Sequence, residues 1–190
     1  MKKITEYRRN LPHINPENAV FFITYRIAGS LPKHLINELS EKKKMESNLK
    51  YFEKFDHFLD QQEGQLNQKE VAQIIAESLL YYHKKHFSLL AYCIMPNHVH
   101  LLINTNNYPH KDLFSLLKVI KGISANKINK LLNKSGQFWH HESFDRVVRD
   151  RNELSNVISY IKNNPVKAEL VPDWKDWHYT YIDKKYRDED

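Results

Sequence analysis

The sequence predicts an α+β protein in which helices are segregated from a small antiparallel sheet. Three observations carry this expectation. The runs AVFFITYRI (19–27), FSLLAYCIM (87–95) and HVHLLI (98–103) are rich in aromatic and β-branched residues and read as strands. Only Pro96-Asn97 separates the last two, so they must return on each other antiparallel. Long stretches with helical periodicity fill the remaining gaps.

Taken in order, the first strand ends at Gly29-Ser30, and Pro32 opens a helix. Residues 33–63 are charged and helical in propensity, with Lys42, Lys43 and Lys44 in a row. Leu49, Phe52, Phe55, Phe58 and Leu59 make a blurred apolar stripe. This segment reads as a helical insertion with solvated charges. After a break at 61–67, Val71, Ile74, Ile75, Leu79 and Tyr82 fall on one face of a well-defined helix. The two central strands follow. Residues 111–133 read as one helix or two, with Gly122 as the candidate break, and 144–149 as a short fourth strand. A last amphipathic helix over 153–163 has Leu154, Val157, Ile158 and Ile161 as its buried stripe. The tail holds Trp174, Trp177, Tyr179 and Tyr181 and ends acidic. This order suits a ferredoxin-like or RNA-recognition-motif-like sheet in a single domain over 1–190.

Composition narrows the function. At 190 residues, 41% hydrophobic and 12% aromatic, the chain can bury one core. A net charge of +6 favours an anionic partner. Cys93 is the single cysteine, which excludes an intrachain disulfide and a four-cysteine zinc site. No apolar signal core follows Met1 and no membrane-length apolar run occurs, so the expectation is a cytoplasmic protein without membrane contact.

Chemistry concentrates in three places. In a strand, His98 and His100 project to one face while Val99, Leu101 and Ile103 point to the other. Two adjacent imidazoles can hold a divalent metal if a third ligand arrives from elsewhere. The plainer alternative is two unrelated histidines at a strand end. On the last helix, Tyr160 sits at the edge of the buried stripe and Asn164 lies one turn on. Tyrosine can act as a nucleophile and an Asn carbonyl as a metal ligand. The alternatives are a packing phenol, and an N-cap Asn before a first-turn Pro165. Finally, Lys111, Lys118, Lys121, Lys127, Lys130 and Lys134 precede Phe138, Trp139, His140 and His141, with Arg146, Arg149 and Arg151 beyond. Cations mixed with aromatic rings suit single-stranded nucleic acid, and a solvated helix over core aromatics is the alternative.

AYCIMPNHVHLLI, KGISANKINKLL, GQFWHHESFDRVVRD and YIKNNPVKAELV, in that order and with FITYRIAGSLP before them, resemble the REP-associated tyrosine transposases. These are single-tyrosine HUH transposases of the bacterial insertion-sequence type. The resemblance spans roughly residues 21–177. It implies an HUH fold built on an RNA-recognition-motif-like sheet. It also implies His98, His100 and Asn164 as metal ligands and Tyr160 as the nucleophile. The implied substrate is single-stranded DNA near REP-like palindromic hairpins, joined through a 5′-phosphotyrosine, and the implied metal is Mg²⁺ or Mn²⁺. Lys118, Lys121, Lys127, Lys130, Trp139, Arg146 and Arg149 are the expected DNA contacts, with either a monomer or a homodimer allowed. Two rival functions remain at this point: a catalytically idle nucleic-acid-binding module, and a metal hydrolase using water.

Overall fold

The computed structural model describes residues 5–8, 12–15, 18–32, 34–35, 48–108 and 113–187. Much of the 33–63 segment, including Lys42 to Lys44, lies outside the described residues, as does Lys111. A hairpin of β1 (Thr5–Arg8) and β2 (Pro12–Asn15) forms a two-stranded sheet. The main sheet comprises β3 (Val20–Arg26), β4 (Ser88–Ile94), β5 (His98–Asn104), β6 (Phe144–Val148) and β7 (Thr180–Ile182), in the order β6-β3-β5-β4-β7. Every pairing in it is antiparallel. The described helices are α1 (Asn48–Asp60), α2 (Lys69–Tyr82), α3 (Leu113–Leu131) and α4 (Arg151–Lys167).

Strand alternation splits the core into two layers. Phe21, Ile23, Tyr25, Val99, Leu101 and Ile103 pack against Val71, Ile75 and Leu79 of α2 and Leu117, Ile120 and Ile128 of α3. Phe22, Leu102, Phe144 and Val148 face the other way, onto Val157, Ile158 and Ile161 of α4. Because the side-chain period of a strand is two, His98 and His100 share the α4 layer with Leu102. Both imidazoles are fully buried. The register between β4 and β5 shifts between Leu89 and Ala91, and both Leu90 and Ala91 belong to the α4 layer.

Several element ends differ from the sequence expectation for local reasons. Gly122 does not break α3, which runs continuously past it. Helix α4 starts at Arg151, two residues early, because Asp150 Oδ1 caps the Glu153 N–H at 2.8 Å. It also runs through Pro165 to Lys167. A proline there forfeits one backbone bond in the last turn, a small loss beside the buried contacts of the helix. Asn164 is therefore inside the helix and is not an N-cap.

The α1–α2 connection is held against the Pro96-Asn97 turn. A Cβ on Gly64 would collide with Pro96 O and stand 2.7 Å from Asn97 Cα, and Leu66 N–H donates to Pro96 O at 2.8 Å. Gly64→Ala must therefore push two backbones apart. It is expected to cost about 2 kcal/mol and lower the melting temperature by roughly 4–8 °C, read by circular dichroism. A melting temperature equal to the parent's would show that the connection moves freely.

Candidate active site

Four segments of the chain meet at one end of the α4 layer. Strand β5 brings His98 and His100, whose Nε2 atoms lie 2.9 Å apart. Helix α1 brings Asp56, with Oδ1 3.4 Å from His100 Nε2 and 3.7 Å from His98 Nε2. One turn on, Asp60 Oδ1 is also 3.7 Å from His98 Nε2. Helix α4 adds Asn164, whose Nδ2 donates to Asp56 Oδ2 at 3.3 Å, and Tyr160, whose ring meets that of His100 edge-on at 5.5 Å. Strand β3 supplies Thr24 beside His100 and Phe22 edge-on to Tyr160.

The second ring nitrogens are engaged, which sets the rings' direction. Asn97 Nδ2 donates to the carbonyls of Leu59 and Gln62, both at 2.7 Å, so its Oδ1 must face His98 Nδ1 at 2.7 Å. A carbonyl oxygen only accepts, so His98 Nδ1 carries the proton and Nε2 keeps its lone pair. His100 Nδ1 meets Thr24 Oγ1 at 2.9 Å, which leaves its Nε2 likewise directed into the site. The same Asn97 amide ties the end of α1, and with it Asp56 and Asp60, to the histidine strand.

Burial governs the electrostatics. It pushes the His98 imidazole down to about 3, and it holds His100 well below the usual range with help from His98 and Lys167. Both rings are neutral at physiological pH. Burial, then repulsion from Asp60, raises the Asp56 carboxyl well above its ordinary value. Burial pushes Asp60 up to about 7 against the opposing charge of Lys167. Asp56 Oδ1, Asp60 Oδ1 and Asn164 Oδ1 are buried without a hydrogen-bond donor among the described residues. Two neutral imidazoles, crowded carboxyls and orphaned oxygens fit a divalent cation, and Asp56, His98 and His100 are close enough together to share one.

A pH dependence follows. Protons compete for the carboxyls near neutrality and for the imidazoles only far below it. Cation affinity is therefore expected to fall as pH drops below about 7, with proton release on binding seen by calorimetry in buffers of different ionisation enthalpy. An affinity flat from pH 7.5 to 5.5 would contradict the carboxyls' part in the site.

The structure thus brings together His98, His100, Tyr160 and Asn164, and it adds Asp56 and Asp60, which the sequence reading left among solvated charges. The signal for them was present: Phe55, Asp56, Leu59 and Asp60 fall on one helical stripe.

The expected nucleic-acid contacts divide. Lys118, Lys127 and Lys130 are exposed on α3, which packs on the sheet face opposite the histidines. Lys121 is buried, its Nζ donating to the carbonyls of His140 and His141 and to Ser143 Oγ, at 2.7, 3.3 and 3.2 Å. Burial, then Arg26, lowers it to about 8. Trp139 is buried too, with Nε1 donating to Ser124 Oγ at 3.0 Å and its ring edge-on to Tyr25. Both residues staple the 139–143 loop to the core. Arg146 pairs with Phe22 on the face of the site, Nη1 3.0 Å from Glu153 Oε1, and Arg149 is exposed just before α4. Among the described residues, no helix is long and apolar enough to cross a membrane.

The family model described as "Transposase IS200 like" matches residues 58–164, more than half of the chain. The match takes in His98, His100, Tyr160 and Asn164 and begins two residues after Asp56. A Haemophilus influenzae protein named as a REP-associated tyrosine transposase is 31% identical over 103 residues. That alignment covers 50% of this chain and 58% of the relative, so the chain spans under two thirds of the relative's length. Among solved structures, a REP-associated tyrosine transposase bound to a REP hairpin superposes with a TM-score of 0.61 at 16% identity. It covers 93% of this chain and 82% of the other, a likeness of fold.

Proposed function

Because the chain belongs to the IS200-like transposase family, we propose that it is a metal-dependent enzyme that nicks and rejoins single-stranded DNA beside hairpins, with Tyr160 as nucleophile. The observation that carries this reading is the phenol of Tyr160 against the His100 ring, on the helix that also delivers Asn164 to Asp56.

His98 and His100 would hold Mg²⁺ or Mn²⁺ through Nε2, with Asp56 Oδ1 and Asn164 Oδ1 as oxygen ligands. When bound, the cation supplies Lewis-acid stabilisation of charge on a non-bridging phosphate oxygen. Thr24 and Asn97 orient the two rings. Asn164 fixes the Asp56 carboxyl while setting the distance from Tyr160 along one turn of α4. Free tyrosine ionises near pH 10, so the site must assist its attack. Tyr160 Oη bonds to phosphorus in line with the departing 3′ oxygen. The P–O3′ bond breaks, the phenolic proton passes to solvent, and the 3′ oxygen takes up a proton. The products are a 5′-phosphotyrosine and a free 3′-hydroxyl. A 3′-hydroxyl from another strand then attacks the phosphotyrosine and returns the phenol. The expected location is the cytoplasm, where such DNA is available.

The test is incubation of the protein with end-labelled, hairpin-bearing single strands and Mn²⁺. A covalent protein–DNA band on a denaturing gel, with a fragment ending in a 3′-hydroxyl, is the expected result. Cleavage that leaves a free 5′-phosphate and no adduct would assign the attack to water.

A further inference from the structure

Most of the basic groups that the sequence offers for DNA are absent from this site: the exposed α3 lysines lie on the far layer, and Lys121 is buried in contacts of its own. The pocket itself holds two neutral imidazoles, an amide and the carboxyls of Asp56 and Asp60. A dication together with two carboxylates sums to zero. A phosphodiester then meets no net attraction where it must be held most firmly.

Helix α4 offers a charge that meets this need. Tyr160, Asn164 and Lys167 are spaced i, i+4 and i+7 and so share one helical face. Lys167 Nζ lies 5.7 Å from the centre of the Tyr160 ring, and its charge bears on Asp56, Asp60 and His100. The residue is exposed, and among the described residues its ammonium makes no ion pair.

We propose that Lys167 binds the phosphate that Tyr160 attacks, giving the loaded pocket the net positive charge a phosphodiester requires. This rests on the reading of Tyr160 as nucleophile. A lysine in the last turn of a helix is also favoured by the helix dipole. That structural role alone would alter stability slightly and would leave DNA binding untouched.

The two roles separate experimentally. Binding of a hairpin-tailed single strand is measured against salt concentration with Mn²⁺ present, in a Tyr160→Phe background so that no cleavage intervenes. Lys167→Gln is expected to reduce the slope of log affinity against log salt by about 0.7, the share of one single-strand phosphate contact. With Tyr160 intact, the single-turnover rate of adduct formation is expected to fall about 10–100-fold in Lys167→Gln, and Lys167→Arg should restore most of it. Mn²⁺ affinity in Lys167→Gln should be unchanged or tighter, because a neighbouring cation has been removed. An unchanged salt slope overturns the proposal. So does a reduced slope with an adduct rate within twofold of the parent, since the contacted phosphate would then lie away from the reacting one. Should the parent form no adduct on any strand, the nucleophile reading fails while the salt-slope measurement still reports on Lys167.

Discussion

Tyr160→Phe is expected to abolish the covalent protein–DNA adduct while hairpin binding and cation binding survive. The substitution removes one oxygen and keeps the ring that packs edge-on against His100 and Phe22. Melting temperature should therefore change little. Loss of a nucleophile in a preorganised site lowers rate by orders of magnitude, so a fall of at least ~10⁴-fold in cleavage is expected, within the range seen when enzymatic nucleophiles are removed. The measurement is a denaturing gel with labelled DNA, read beside a binding isotherm. Adduct formation by the Phe variant would transfer the role to another tyrosine; Tyr179, Tyr181 and Tyr186 of the tail would be examined next.

Asp56→Asn should show two effects of opposite sign. The side chain is fully buried, and its Oδ1 has no hydrogen-bond donor among the described residues. In the metal-free protein a buried carboxyl with one oxygen lacking a donor costs stability, so its neutral isostere should raise the melting temperature. The new amide can still accept from Asn164 and can donate toward the His98 and His100 nitrogens. Cation affinity, by contrast, should drop ~100-fold or more with the loss of an anionic ligand. A cation at a hundred times its dissociation constant stabilises the parent by about 2.7 kcal/mol, roughly 5–10 °C for a chain of this size. That shift should vanish in Asp56→Asn. Thermal scans with and without Mn²⁺ read both effects, and a variant stabilised by Mn²⁺ as strongly as the parent would remove Asp56 from the ligand set.

The parts legible in the sequence are those in which a short-range period fixes geometry. Alternation in HVHLLI puts both imidazoles on one face, and the helical repeat puts Asn164 a turn from Tyr160. The two-residue link at Pro96-Asn97 dictates the antiparallel pairing of β4 and β5. Burial was harder to read. Lys121 interrupts the stripe of Leu117, Ile120, Ser124 and Ile128, and that position meant an interior lysine with carbonyl partners. Asp56 was masked by the charged residues around it, although its register with Phe55 and Leu59 marked it as inward-facing. The three-residue strand β7 and the hairpin of β1 and β2 are too short for composition to separate from loop. Helix α4 outlasted its proline because Ile161 and Val157 anchor it from below, information that no local propensity contains.

The way Asn97 joins α1 to the histidine strand, with α4 arriving later, also bears on when the protein acquires reactivity during its synthesis. A ribosome releases Asp56 first, then the two imidazoles, and the phenol only some sixty residues after them. A chain released only as far as β5 carries Asp56, His98 and His100 but lacks Tyr160, Asn164 and Lys167. A nascent or prematurely terminated chain that stops short of α4 would therefore lack both the amide that holds Asp56 and the phenol proposed to bond to DNA. Unfinished copies would be chemically silent toward the genome that encodes them.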